Sequence, residues 1–320
     1  MPLSRNILNL SFFTLILSNL TYANTNSQTS LFDMVTNKIT SDLVAENKST
    51  DTIDIKPDTI TPEVKAQIEN TKVPEKPKTV WFSSPFRISL YEPNYLLPFY
   101  YTFSPDNAVY EGTTPDNQQI QSAEMKFQIS LLIPLVYIYN DHYRFNLSYT
   151  QLSYWQFYAP QSQYFRETDY EPAFFMETDL ANNITGNIGL VHESNGKGGD
   201  LERSWNRAYL QGTYDNETIL ARLKIWDIIF RSSSSNLHNP DIGNYLGYGE
   251  LQLGYQFENK NTLTLMARSI KHPTFELNWS FPIYGVLNGY IQYFSGYGQS
   301  LIEYNHHTNS IGAGISLNQW

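Results

Sequence analysis

Glu124 to Leu135 reads E-M-K-F-Q-I-S-L-L-I-P-L. Met125, Phe127, Ile129, Leu131, Ile133 and Leu135 fall on one side of an extended chain, and Glu124, Lys126, Gln128 and Ser130 on the other. A strand alternates its side chains between two faces, so one face is apolar and the other polar. The length and the dyad pattern suit a strand that crosses a membrane with one face toward lipid. The pattern recurs where Leu251, Leu253, Tyr255 and Phe257 alternate with Glu250, Gln252, Gln256 and Glu258, and where Phe145, Leu147 and Tyr149 alternate with Arg144, Asn146 and Ser148.

Twelve such segments can be counted: 90–102, 123–136, 143–157, 166–180, 184–195, 204–215, 217–229, 244–258, 261–270, 273–284, 287–297 and 309–320. An even number is what a closed bacterial barrel needs. After the N-terminus there is no apolar run of about 18 residues, so any crossing has to be made by strands. A soluble β-sandwich or barrel would alternate in the same way with its apolar face buried. Two features favour the membrane: the 24 Tyr and 6 Trp, many near strand ends as interface girdles would be, and the Ile311, Ala313, Ile315, Leu317 row that closes on Trp320. The fold expected is therefore an all-β transmembrane antiparallel barrel of about 12 strands.

Residues 1–23 carry Arg5, an apolar run from Ile7 to Leu17 and the small-residue end Thr21-Tyr22-Ala23, the parts of a secretory signal peptide. Residues 24–84 are rich in Thr, Asn, Asp, Lys and Pro and almost lack aromatics, which predicts a polar, mostly disordered periplasmic extension. The barrel domain is expected over 85–320. The chain has no cysteine, which excludes thiol chemistry and thiolate metal sites. A net charge of −10 and the absence of a basic stripe argue against a nucleic-acid partner.

Candidate chemistry lies between Ile188 and Tyr209. Alternation places His192 and Ser194 on the apolar side of one strand, and Asn206 with Ala208 and Leu210 on the apolar side of the next. A hairpin brings Asn206 near His192. Polar groups facing lipid are costly unless they pair or have a functional partner, and the substrate meeting such a site is the lipid itself. Acyl-transfer chemistry assigns Ser194 as nucleophile, His192 as base and Asn206 as the group fixing the imidazole tautomer. The Gly196 N–H is the nearest oxyanion donor. No Gly-x-Ser-x-Gly elbow exists, so the soluble α/β-hydrolase plan is excluded.

From about Tyr91 to Trp320 the chain resembles outer membrane phospholipase A. The match is carried by His192-Glu193-Ser194-Asn195-Gly196, Arg203-Ser204-Trp205-Asn206-Arg207, Phe165-Arg166-Glu167-Thr168, Tyr170-Glu171-Pro172, Ser295-Gly296-Tyr297-Gly298-Gln299-Ser300-Leu301 and Tyr304-Asn305. The resemblance implies a twelve-stranded barrel and calcium-dependent (Ca2+) hydrolysis of acyl esters of phospholipids and lysophospholipids (A1/A2 type) by an outer-membrane homodimer. It implies that Lys197 offers a backbone carbonyl to calcium and that Ser162, in the loop Phe157 to Tyr164, is the hydroxyl contributed by the partner. Glu202 stands where the family has a serine ligand; a carboxylate is a good hard-oxygen ligand, and a solvated loop charge is the other reading of Glu202 or Asp200.

Gln151 stands in the row Phe145, Leu147, Tyr149, Gln151, Ser153, Trp155, where a lone amide facing lipid seeks a partner, and the family has a glutamine at its dimer interface there. His142, His238, His272, His306 and His307 lie in turn-like stretches and are expected in surface loops. The competing reading is a non-enzymatic pore or adhesin, and a third is a soluble secreted esterase.

Overall fold

The computed structural model describes residues 80–81, 88–138, 142–229 and 238–317. The signal segment, most of the 24–84 extension and Trp320 lie outside them. Twelve antiparallel strands follow in chain order: β1 (Tyr95–Thr102), β2 (Ala123–Ile138), β3 (Tyr143–Trp155), β4 (Phe165–Ala181), β5 (Ile184–Ser194), β6 (Ser204–Asp215), β7 (Ile219–Ile229), β8 (Gly249–Gln256), β9 (Thr262–Arg268), β10 (Thr274–Tyr284), β11 (Leu287–Tyr297) and β12 (His307–Ser316). Each pairs with its sequence neighbour, and β12 pairs with β1, closing the barrel.

Alternation decides which side each residue faces. Ile129, Leu147, Phe174, Leu190, Leu210, Leu223, Leu253, Leu265, Leu277, Tyr293 and Ile311 are exposed, whereas Glu124, Lys126, Ser130, Asn146, Arg207, Asn278 and Gln292 are buried. This is the inverse of a water-soluble protein and the arrangement lipid requires. The connections differ at the two ends: 103–122, 156–164, 195–203, 238–248, 269–273 and 298–306 lie at one end, and the short turns at 182–183, 216–218 and 285–286 at the other.

Several boundaries differ from the sequence expectation, and the strand expected at 90–102 begins only at Tyr95. The segment expected at 244–258 opens as a short helix, α1 (Ile242–Leu246), which stops at Gly247 with φ 74°, so β8 begins only at Gly249. Val80–Trp81, expected in the tether, pairs with Val136 and Tyr137 of β2. Ser89 and Leu90 pair with Leu132 and Leu131 of the same strand. Between them and β1 the chain kinks, and the Asn94 side chain stands in for the missing ladder, donating to the Ser130 carbonyl at 2.9 Å and accepting from Ser130 N–H at 2.8 Å. The kink swings Tyr91 against Phe175 and Glu92 across the lumen to Arg222, 2.9 Å away.

Toward the loop end lies a buried ionic cluster. Arg166, 2% exposed, donates Nε and Nη2 to the two Glu124 oxygens at 2.7 and 2.8 Å, and Nη1 to Glu303 at 2.9 Å and to the Tyr110 hydroxyl at 2.8 Å. Burial pushes the Tyr110 phenol well above its ordinary pKa. Glu303 also accepts from Ser300 Oγ at 2.8 Å. Removing one member of such a cluster strands the others without counter-charge and costs about 3–5 kcal/mol. Arg166→Met is therefore expected to destabilise the folded barrel by about that amount, measured as a shift of its urea-unfolding midpoint followed by gel mobility.

Candidate active site

The site is built on the β5–β6 hairpin, whose register sets His192 opposite Asn206 and Ser194 opposite Ser204. His192 is exposed on the outer wall, beyond Leu190 on the same row. Its Nδ1 lies 2.9 Å from Asn206 Oδ1. A carbonyl oxygen can only accept, so Nδ1 carries the proton and Nε2 is left with a free lone pair. Ser194 stands two residues along on the same face. Imidazole, hydroxyl and amide are thus brought to one outward patch, as the alternation predicts, with the Ser194–His192 relation resting on strand geometry.

Behind the patch the intervening residues point into the lumen. Glu193 Oε2 accepts from Trp205 Nε1 at 2.8 Å and from Arg207 Nη2 at 2.7 Å, and the same nitrogen reaches Glu171 at 2.6 Å. The Arg207 guanidinium lies over the Trp205 indole, 4.0 Å from its centroid. These residues clamp the hairpin from inside. The sequence carried the signal as opposite charges on the polar rows of adjacent strands, but nothing in it assigned their roles.

Past Ser194 the chain turns at Gly196 with φ +64°. The left-handed backbone favours glycine, and a Cβ there would sit 3.0 Å from the Tyr170 ring, so that ring would have to give way slightly. Among the described residues the Gly196 N–H has no acceptor. Of the three residues considered for calcium, Lys197 and Glu202 lie on this connection and Ser162 on 156–164. The Lys197 ammonium turns inward to Glu167 Oε2 at 3.0 Å, which takes its charge away from its own carbonyl. The Glu202 carbonyl accepts from Arg203 Nη1 at 2.8 Å. The Ser162 carbonyl accepts from Gln118 Nε2 at 2.7 Å. Among the described residues no group of three or more His, Cys, Asp or Glu converges as a metal site.

Gln151 corrects one expectation. Its amide is not alone: Tyr149 Oη donates to Oε1 at 2.9 Å and Nε2 donates to Ser153 Oγ at 3.1 Å. Residues two apart on a strand share a face, and both of these carry hydroxyls. One row across the outer wall runs Ile129, Gln151, Tyr170, Ser194, Ser204, each opposite the next. Of the other histidines, His307 opens β12 with its ring against Tyr297, while His142, His238, His272 and His306 lie in connections.

The family profile of phospholipase A1 matches residues 76–317. The chain belongs to the phospholipase A1 family. A phospholipase A1 of Klebsiella pneumoniae is 35% identical over 249 residues, covering 73% of this chain and 84% of that one. A Neisseria meningitidis relative is 33% identical over 246 residues, covering 71% of this chain and 64% of the relative. Among solved structures, the Salmonella typhi outer membrane phospholipase, a dimer with bound calcium, superposes with a TM-score of 0.67 at 32% identity, over 74% of this chain and 94% of that one. Membership in the phospholipase A1 family, an enzyme family, sets aside the pore or adhesin reading.

The glycine turn gives a direct test. Placing a side chain in the left-handed region costs about 1–2 kcal/mol, and at Gly196 it also displaces Tyr170. Gly196→Ala is expected to lower phospholipid hydrolysis at least roughly tenfold while the barrel folds. Gly198→Ala, where a Cβ meets nothing within 4 Å, should leave the rate unchanged; both are read in a micellar ester-hydrolysis assay.

Proposed function

We propose that this phospholipase hydrolyses acyl esters of phospholipids and lysophospholipids in the outer membrane, through Ser194, His192 and Asn206, as a calcium-dependent homodimer. The observation that carries the reading is the 2.9 Å His192–Asn206 hydrogen bond standing beside Ser194 on a wall of exposed leucines. Such a wall brings a lipid ester to the nucleophile without passage through water.

In the reaction His192 Nε2 takes the proton from Ser194 Oγ as Oγ bonds to the ester carbonyl carbon. The negative oxygen of the tetrahedral adduct accepts from Gly196 N–H. Collapse breaks the bond to the leaving alcohol oxygen, which receives the proton from Nε2, and leaves an acyl-Ser194. Water repeats the sequence with His192 as base and frees the fatty acid. Asn206 holds the ring and its tautomer throughout, without the desolvation penalty of a carboxylate beside hydrocarbon.

Hard oxygen donors are available for calcium: the Lys197 carbonyl, the Glu202 carboxylate and Ser162 of the partner subunit. The inward turn of the Lys197 ammonium to Glu167 fits this donor set, since it draws that side chain's charge away from the Lys197 carbonyl. Calcium, when bound, supplies positive charge next to the oxyanion. Gln151, in the same cross-strand row as Ser194, lies on the dimer face, where its amide exchanges its own-strand partners for the second subunit. Residues 1–23 are removed as a signal peptide, and the polar segment expected over 24–84 is a periplasmic extension ahead of the barrel domain, which already pairs with the chain at Val80–Trp81.

Wild type and Ser194→Ala are compared on phospholipid in detergent micelles, with calcium and with chelator. Calcium-dependent hydrolysis that Ser194→Ala abolishes supports the assignment; activity retained by Ser194→Ala sinks it. Replacing the carboxylate ligand by a hydroxyl, Glu202→Ser, is expected to raise the calcium concentration for half-maximal rate roughly tenfold. An unchanged calcium midpoint would place the carboxylate outside the site.

A further inference from the structure

Between Ser194 and Gly196 stands a residue to which the catalytic chemistry gives no part. Asn195 is 3% exposed and points inward, away from the lipid-facing row. Its Nδ2 donates to Glu167 Oε1 at 3.0 Å and to the Leu201 carbonyl at 2.9 Å. Its Oδ1 accepts from Lys197 N–H at 3.3 Å and from Arg203 N–H at 3.0 Å. Its own N–H donates to the Arg203 carbonyl at 3.1 Å. Two donors and two lone pairs are all that a side-chain amide has, and every one is used.

The partners define what the amide does. Leu201 and Arg203 are on the return limb of the 195–203 connection, and Lys197 on its outgoing limb, so one side chain ties the two limbs together. The bond to Lys197 N–H closes an Asx turn across Gly196. That turn occupies the Lys197 N–H and leaves the Gly196 N–H as the donor without an acceptor, beside Ser194. Glu167 holds the amide from β4, and its Oε1 also accepts from Ile302 N–H at 3.1 Å, which ties the connection to 298–306.

We propose that Asn195 is a positioning residue of the hydrolysis: from behind the wall it fixes the peptide that presents Gly196 N–H to the oxyanion and Lys197 C=O to the cation. The inference rests on the roles given above to Ser194 and Gly196. It predicts an effect on the chemical step, because an oxyanion donor acts in the transition state more than in substrate binding.

Steady-state hydrolysis of phosphatidylcholine in detergent micelles is measured over a calcium series for wild type, Asn195→Ala, Asn195→Asp and Ser194→Ala, with the folded fraction read by gel mobility and thermal unfolding. Asn195→Ala is expected to lower kcat per folded molecule about 100-fold, with KM within roughly threefold of wild type and a raised calcium midpoint. Asn195→Asp keeps the acceptor toward Lys197 and Arg203 but loses both donors, toward Glu167 and toward the Leu201 carbonyl, and its kcat should fall about tenfold. A kcat and calcium midpoint per folded molecule equal to wild type, with only the melting temperature lowered, would make Asn195 a stabilising residue and overturn the inference. If the alanine variant does not fold, Asn195→Asp alone decides by the same criterion. Activity in Ser194→Ala overturns the nucleophile assignment instead, so the two failures are told apart.

Discussion

Inside hydrocarbon each backbone N–H and C=O has to find its partner within the chain, because no water is present to take it. The closed ladder from β1 round to β12 answers that requirement, and the rest of the molecule follows from it. Since the wall is a single layer of strand, each residue chooses between lipid and lumen. The outer choice collects leucines and aromatics; the inner one collects charges, which then have to neutralise one another. Arg166 with Glu124 and Glu303, and Arg207 with Glu171 and Glu193, are that neutralisation.

The β5–β6 hairpin uses both sides of the same layer. His192 and Ser194 face out while Glu193, between them, faces in and is gripped by Trp205 and Arg207. An imidazole and a hydroxyl on an outward-facing surface have few rigid neighbours of their own to hold them. Their orientation comes through the backbone from the residue behind, and the ionic lumen thereby serves the outer surface. Asn195 continues the same device past the strand end, where the ladder has stopped and a side-chain amide replaces it.

Much of this was legible in the sequence, for physical reasons. A period of two admits only two faces, so Glu124 to Leu135 and its counterparts disclosed twelve strands, and His192, Ser194 and Asn206 fell on one surface once a hairpin was assumed. Less was legible where structure departs from the period. The kink at 91–94 depends on Asn94 imitating backbone, and α1 interrupts the approach to β8 at Gly247. Partners distant in sequence were invisible: nothing local says that Lys197 turns to Glu167 or that Glu167 also meets Ile302, whereas the hydroxyls that occupy the Gln151 amide stood two residues away in the same row.

The outward placement of His192 and Ser194 carries a consequence for how concentration enters the kinetics. An ester that reaches this wall arrives by sliding in the plane of a lipid layer, and its products leave the same way. The relevant quantity is the mole fraction of substrate in that layer, not its amount per volume of buffer. Diluting the aqueous phase at fixed lipid-to-detergent ratio changes nothing the residues on the wall encounter, whereas adding inert amphiphile thins the substrate around them. Two-dimensional dilution is the variable to which this geometry answers.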